Sequence, residues 1–555
     1  MTQLTGAQLI VRLLERQGVR TIAGIPGGAI LPFYDALSAS TQIRHVLARH
    51  EQGAGFMAQG MSRVSGVPQV CIASSGPGAT NLVTAIADAC LDSIPMVVIT
   101  GQVPQSMIGT DAFQEVDIYG ITVPITKHNF LVRSAQELLE VVPDAFRIAM
   151  SGRPGPVLID VPKDVQNQLI DVAELPPPAV ADMPPQLDLA AVDAAAQMIN
   201  AAERPVLYLG GGVVHSGAAP LAVQLAEQGG LPTTMTLMAL GAMPIDHPLS
   251  VGMLGMHGAR YTNFVLEESD LLICVGARFD DRAIGRAAQF CPNAKIVHID
   301  VDRSELHKIK SAHVAIHADV TEALQALLPR VKTALRTDWL THVADLKQRF
   351  PMQFPGIDDP RSHYGLIKAV ADALDDEAVI ATDVGQHQMW VAQAYPFRRP
   401  RQWLTSGGLG TMGFGLPTAI GAALAEPERT VVCFSGDGSF KMNIQELATL
   451  AEEGLNVKVV LMNNNALGLV YQQQTLFYGK RLFASKYRTE PDFVKIAEGF
   501  GVPALDLDQA ADPRAALAEA LNAPGPCLIH ATIDREQFVY PMVPPGAANT
   551  EMIGG

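Results

Sequence analysis

Six cysteines in 555 residues, at positions 71, 90, 274, 291, 433 and 527, form no C-x-x-C pair anywhere in the chain. That spacing excludes the common zinc and redox signatures. Cysteines set in apolar runs read instead as reduced core residues of a cytoplasmic protein. Positive charge is also in deficit. Forty Lys and Arg against 56 Asp and Glu give a net charge of −16, which argues against nucleic acid or a membrane surface as partner. Long apolar runs are missing too: 402–425, which no uncharged stretch exceeds in length, holds six glycines and a proline, unlike a membrane span. The N-terminus, MTQLTGAQLIVRLLERQGV, carries charges in an amphipathic helical pattern and has no signal-peptide core.

What the chain does have is apolar mass. Hydrophobic residues make up 48% and charged residues 17%, a balance that suits large buried cores over disorder, and the length suits roughly three or four domains. Short β-branched runs ending in glycine alternate with helix-period segments, the pattern of parallel sheets covered by helices. TIAGIPGG, QVCIASSGPG, PMVVITG and PVLIDVP mark a first α/β domain over residues 1–170. A proline-rich linker at 171–188 precedes a second, 189–337, with PVLYLGGGV, LLICVGAR and KIVHIDVD. Periodicity breaks again over 338–362, and a third domain, 362–532, contains AVIATDVG, TVVCFSGDG, VKVVLMNN and CLIHATID. The irregular tail 533–555 is more apolar than a solvated tail, so it is expected to pack over something. The first and third blocks share size and strand rhythm, which weakly suggests duplication.

The sharpest local signal is FSGDGSF at 434–440. A strand ending in G-D-G places a carboxylate at the carboxyl edge of a parallel sheet, where ligands collect. Glycines admit a close ligand, and a helix beginning in MNIQELATLAEEG offers N–H groups to phosphate. Alone, G-D-G reads equally well as a tight turn with a helix-capping aspartate. Here 24 residues separate it from N-N at the end of VKVVLMNNN, so Asp437 and Asn464 leave two strand ends. Two oxygen ligands plus phosphate oxygens suit Mg²⁺.

This spacing resembles the thiamine-diphosphate motif, and the likeness spreads over essentially the whole chain. GIPGGAILPFYDAL, RHEQGAGFMAQG, SSGPGATNLVTAIADA, TDAFQEVD, GMLGMHG, GARFDDR, SGGLGTMGFGLP and YPMVPPGA all resemble the large-subunit family of acetolactate (acetohydroxyacid) synthases. The resemblance implies three α/β domains: an N-terminal pyrimidine-binding one, a central FAD-binding one and a C-terminal diphosphate-binding one, with the tail over the active site. It implies Mg²⁺ on Asp437, Asn464 and the carbonyl of Ala466. Gly436, Gly438, Ser439, Gly385, Gln386 and His387 would line the diphosphate. Glu51, at a strand-to-helix junction, would be the acid that activates the pyrimidine ring of a cofactor bound by a partner subunit. The Gly410 carbonyl would accept from the cofactor's amino group, and Met412 would prop its bent shape.

For FAD the resemblance implies Arg153, Gly210, Gly211, Gly212, His257, Gly258, Gly276, Arg278, Asp300 and Asp319. An NAD-type G-x-G-x-x-G is not met, because position 215 is histidine. Gln114, Lys163 and Arg282 would meet substrate, Arg282 gripping a carboxylate through its planar fork. The implied reaction decarboxylates pyruvate and joins the two-carbon unit to a second 2-keto acid, pyruvate or 2-ketobutyrate, in branched-chain amino-acid biosynthesis. A homodimer or homotetramer with shared sites and a small regulatory subunit are implied as well. A decarboxylase, oxidase or other carboligase of the same architecture is the alternative. One departure from the family stands at Gln473, where many relatives carry tryptophan. Less apolar area there predicts weak discrimination between the two keto acids.

Overall fold

The computed structural model describes residues 2–554. Each block folds around a six-stranded sheet in which every neighbouring pair is parallel. In spatial order the first sheet is Arg44–Leu47, Thr21–Gly24, Gln69–Ala73, Met96–Gln102, Pro156–Pro162 and His128–Leu131. The second is Ser250–Met253, Thr233–Met235, Pro205–Leu209, Leu271–Val275, Lys295–Asp300 and Val314–His317. The third is Trp403–Leu404, Val379–Thr382, Val431–Gly436, Val457–Asn463, Cys527–Thr532 and Ala504–Asp506. Helices cover both faces, so central strands such as Met96–Gln102 and Val457–Asn463 are buried at every position. That is why they read as continuous apolar runs.

Numbered along the chain within each sheet, the first and third share the order 2-1-3-4-6-5, and the second runs 3-2-1-4-5-6. The rhythm shared by the first and third blocks therefore reflects one topology used twice. Each order has a reversal point inside the sheet, between strands 1 and 3 in the outer sheets and between 1 and 4 in the middle one. Connections leave such a point in opposite directions and open a crevice at the carboxyl edge.

Two stretches differ from the sequence reading. Thr2–Thr5 is a strand paired antiparallel with Leu169–Val172, so the linker is shorter than 171–188 and the helix starts only at Gly6. A capping box between Thr5 and Gln8 sets that start. Thr337–Arg349 is a helix packed on the second unit, with Trp339 Nε1 donating to the Pro205 carbonyl (3.0 Å) and Val343 and Leu346 in its core. The break in periodicity is thus confined to 350–362. The tail packs on the second unit: Val543 N donates to Met256 O (2.9 Å) and Asn549 Nδ2 to Ala283 O (2.8 Å).

The first and third units meet through helices Glu51–Ser65 and Gly415–Ala425. A Cβ on Gly60 would lie 2.1 Å from the Thr418 carbonyl, and one on Gly421 would lie 2.0 Å from the Met57 carbonyl. Phe56 and Phe414 stack edge to face beside this contact, 5.3 Å between centroids. Gly421→Ala would ordinarily favour a helix. Here overpacking should dominate and cost about 1–3 kcal/mol, read as a lower melting temperature; an unchanged or higher one contradicts this packing.

Candidate active site

At the reversal point of the third sheet, Val379–Thr382 and Val431–Gly436 lie side by side, and Val457–Asn463 is the next strand. Their carboxyl ends carry Asp383 to His387, Gly436 to Ser439, and Asn464 to Ala466. Asp437 opens a single helical turn, Asp437–Phe440, and the longer helix begins only at Glu446. The N–H groups nearest the strand end thus belong to the G-D-G turn, not to the MNIQEL segment. The Asp437 carboxyl is buried, accepts from Asn464 N (3.4 Å) and pairs with Lys441 Nζ (3.3 Å). Burial raises its pKa, and the Lys441 ammonium pulls against that shift. Asn464 Oδ1 accepts from Ala466 N (3.1 Å), so Asp437, Asn464 and Ala466 form one connected group.

Gln386 links that group to helix Gly468–Phe477, accepting from Asn464 Nδ2 (3.1 Å) and donating to Gln472 Oε1 (3.0 Å). His387 packs so closely that a Cβ on Gly385 or Gly436 would come within 2.9 Å of its ring. Its Nε2 is buried without a partner, and burial lowers the pKa to about 3, leaving the ring neutral. Asp383 holds the next loop: its Oδ1 accepts from Gly413 N (2.8 Å), and burial raises its carboxyl to about 6. Met412 touches the same turn, its Cε 3.6 Å from where a Cβ on Gly438 would lie.

A cavity of about 680 Å³ joins the reversal point of the second sheet to this region, a size suited to a cofactor. Arg153, Gly210, Gly211, Gly212, His257, Gly276, Arg278, Arg282, Asp300, Asp319, Gly410 and Gln473 line it. Gly258 does not; a Cβ there would sit 2.4 Å from the Met253 carbonyl, which is reason enough for glycine. Gly210 and Gly212 likewise admit the backbone of Gly276, with 2.2 and 2.8 Å to a would-be Cβ. Burial raises Asp300 to about 6 and lowers His257 to about 4. The Arg282 side chain is 67% exposed at the rim, against Met256 Sδ (3.7 Å).

Three family profiles cover most of the chain: the N-terminal TPP binding domain of thiamine pyrophosphate enzymes over 4–121, their central domain over 192–327 and their C-terminal TPP binding domain over 383–531. The chain is 65% identical over 553 residues to the acetolactate synthase isozyme 1 large subunit of Escherichia coli (strain K12), covering 100% of this chain and 98% of that one. The chain belongs to the acetolactate synthase large-subunit family of thiamine pyrophosphate enzymes. Isozyme 2 of the same organism is 47% identical, covering 99% of both chains. The chloroplastic acetolactate synthase of Arabidopsis thaliana is 45% identical over 99% of this chain and 84% of its own. The chain is therefore a thiamine-diphosphate-dependent enzyme.

The residues present fit that cofactor family. Asp437, Asn464 and Ala466, linked through the backbone N–H groups of the last two, offer a carboxylate, an amide oxygen and a backbone carbonyl, oxygen donors of the kind that suits a hard divalent cation. The unpartnered His387 Nε2 leaves a neutral ring beside glycines where an anion can approach. Glu51, Gln114 and Lys163 lie on the first unit and share no hydrogen bond with this cluster. Glu51 begins helix Glu51–Ser65, and its Oε2 accepts from Asn81 Nδ2 (2.9 Å). Glu446 of the third unit caps the same helix, accepting from Arg49 N (3.1 Å) and His50 N (3.0 Å). Gln114 is exposed with a positive φ of 59° and lies against Gly76.

Sequence reasoning missed Arg63, Asp88 and Asp92, a cluster of buried charges of which Asp92 lines the cavity. Their signal was faint: two aspartates four apart in the otherwise apolar VTAIADACLD. Asp437→Ala should weaken thiamine diphosphate binding at least about tenfold, since a charged ligand contact is worth roughly 1.5–3 kcal/mol. Ligands of the large cavity, which Asp437 does not line, should keep their affinity; parallel titrations that lose both contradict the map.

Proposed function

We propose that this chain is the catalytic large subunit of an acetolactate synthase, decarboxylating pyruvate and joining its two-carbon unit to a second 2-keto acid. Two pyruvates give 2-acetolactate; pyruvate and 2-ketobutyrate give 2-aceto-2-hydroxybutyrate. The observation that carries this reading is the convergence of Asp437, Asn464 and Ala466 at a reversal point, in a chain 65% identical over its full length to such a large subunit. Bound thiamine diphosphate supplies the carbanion stabilisation that keto-acid decarboxylation requires. Asp437, Asn464 and the Ala466 carbonyl would hold Mg²⁺, and Gly436, Gly438, Ser439, Gly385, Gln386 and His387 would surround the diphosphate. The 680 Å³ cavity supports FAD, with Arg153, Arg278, Asp300 and Asp319 along it.

Glu51 has the properties of the activating acid. Asn81 occupies its Oε2, leaving Oε1 to pass a proton to the pyrimidine nitrogen of a cofactor. No hydrogen bond joins Glu51 to the diphosphate cluster of its own chain, which supports a site shared between two copies. A homodimer or homotetramer would satisfy this, and the large-subunit name of the relatives supports a small regulatory partner. Gln114 and Lys163, on the same unit as Glu51, would meet substrate in that shared site. Arg282, exposed at the cavity rim, would grip the carboxylate of the second keto acid with its planar fork. Gly410 and Met412 would hold the cofactor's amino group and bend.

Gln473 lines the cavity with Leu469 and Met542, whereas Phe113 is 88% exposed. A glutamine wall gives 2-ketobutyrate little advantage, since one methylene is worth roughly 0.8 kcal/mol, about fourfold. With pyruvate, thiamine diphosphate, Mg²⁺ and FAD supplied, acetolactate should form. Release of acetaldehyde or acetate without acetolactate would assign a decarboxylase or oxidase instead. With both keto acids competing, wild type should discriminate weakly and Gln473→Trp should shift the ratio towards 2-ketobutyrate; an unchanged ratio rejects the role of this wall.

Glu51→Gln keeps the shape but loses the titratable proton. It should lower kcat about 10²–10⁴-fold with thiamine diphosphate still bound. Near-normal turnover would show that another group activates the cofactor.

A further inference from the structure

The segment Ser406 to Gly410 reads S-G-G-L-G, and Gly410 has a φ of 70°. Three glycines in five residues leave almost no side chain to pack, and glycine surrenders the most conformational freedom on ordering. Leu409, the only large side chain there, is 42% exposed. The shape of this segment must therefore come from hydrogen bonds; Gln388 Nε2 of its own unit donates to Ser406 O (3.1 Å), and the bonds to the Gly407 and Gly408 amides come from another unit. Asp92 accepts from Gly408 N at Oδ1 (2.7 Å) and from Gly407 N at Oδ2 (3.1 Å). Asp88 Oδ2 accepts from Ser406 Oγ and from Thr411 Oγ1 (2.8 Å), and Ser406 Oγ accepts from Thr411 N (2.9 Å).

Two buried carboxylates need a counter-charge. Arg63 supplies it, with Nη2 2.8 Å from Asp92 and 3.3 Å from Asp88, while Nη1 donates to Thr405 O (3.0 Å). The three charged side chains are each at most 4% exposed. Burial beside Asp92 also raises the Asp88 carboxyl to about 6. No contact of this kind is needed to join the two units, which already meet through the Gly60 and Gly421 approaches.

We propose that Asp92, backed by Arg63 and Asp88, is a positioning residue that fixes the Ser406–Gly410 wall and so presents Gly410 to the cofactor. This rests on the reading above, in which the Gly410 carbonyl accepts from the aminopyrimidine. A charge-assisted bond to a backbone amide is shorter and stronger than a neutral one. Asp92→Asn keeps the volume but turns an NH₂ toward Arg63 or the amides, so one donor faces another. Ser406→Ala is the milder change, removing the hydroxyl that bridges Asp88 and Thr411 N.

The test measures both variants at saturating FAD and Mg²⁺: thiamine diphosphate affinity by fluorescence titration, kcat and KM for pyruvate, melting temperature, and the near-ultraviolet circular dichroism of the bound aminopyrimidine. For Asp92→Asn the expected result is about tenfold weaker thiamine diphosphate binding and about tenfold lower kcat. The KM for pyruvate should hold within about threefold, because substrate binding is not what the wall controls. The dichroism of the bound ring should change, and Ser406→Ala should move the same way by less. Wild-type affinity and dichroism in both variants would overturn the proposal, as would losses that only follow a fall in melting temperature. Asp437→Ala separates the two levels. If it binds thiamine diphosphate like wild type, the site reading itself fails. If it loses the cofactor while Asp92→Asn does not, only the role of Asp92 fails.

Discussion

Backbone-to-backbone contact between helices Glu51–Ser65 and Gly415–Ala425 is the constraint on which the arrangement of this molecule depends. Gly60 and Gly421 each present a bare Cα to a carbonyl of the other helix, closer than any side chain would permit. The contact merges the cores of the first and third units into one, with Met57, Ala419 and Leu461 in a single cluster. Once the helices are seated, Glu446 reaches the N-terminus of the first helix and Arg63 reaches the loop that follows Trp403–Leu404. Both polar links are geometric consequences of the apolar one. Neither would be worth its desolvation if the helices were free to slide.

Function follows from where the sheets reverse. The reversal point of the second sheet opens on the large cavity through Gly210 and Gly276, and that of the third gathers Asp383, Gln386 and Asp437. Burial then sets the charge states. His387 is held neutral, Asp383 is pushed up towards 6, and Asp437 is raised against the pull of Lys441. An uncharged imidazole beside a buried carboxylate suits a place that receives an anion and a cation together. The same low dielectric explains why Asp88 and Asp92 need Arg63 so close.

Much of this was legible along the chain. Apolar runs ending in glycine located the inner strands, because a strand buried on both faces cannot alternate. The short strands Ala504–Asp506 and Thr233–Met235 carry too few residues for a period to register. G-D-G and N-N exposed the cluster around Asp437, since strand-end chemistry leaves local spacing. The glycines at 210, 212 and 258 were read as ligand-facing, yet each also answers to an approaching backbone.

By itself the sequence determined the fold class, the three blocks, the duplicated rhythm of the outer two and the residues that leave the strand ends. Those follow from local rules of periodicity, glycine and polar spacing. Tertiary structure alone decided which distant segments meet: Arg63 with Asp92, Glu446 with the helix of Glu51, and the tail with Met256 and Ala283. An aspartate in an apolar helix has no local signature of its partner. Its meaning depends on what packing leaves beside it, because only there is an unpaired charge too costly to keep.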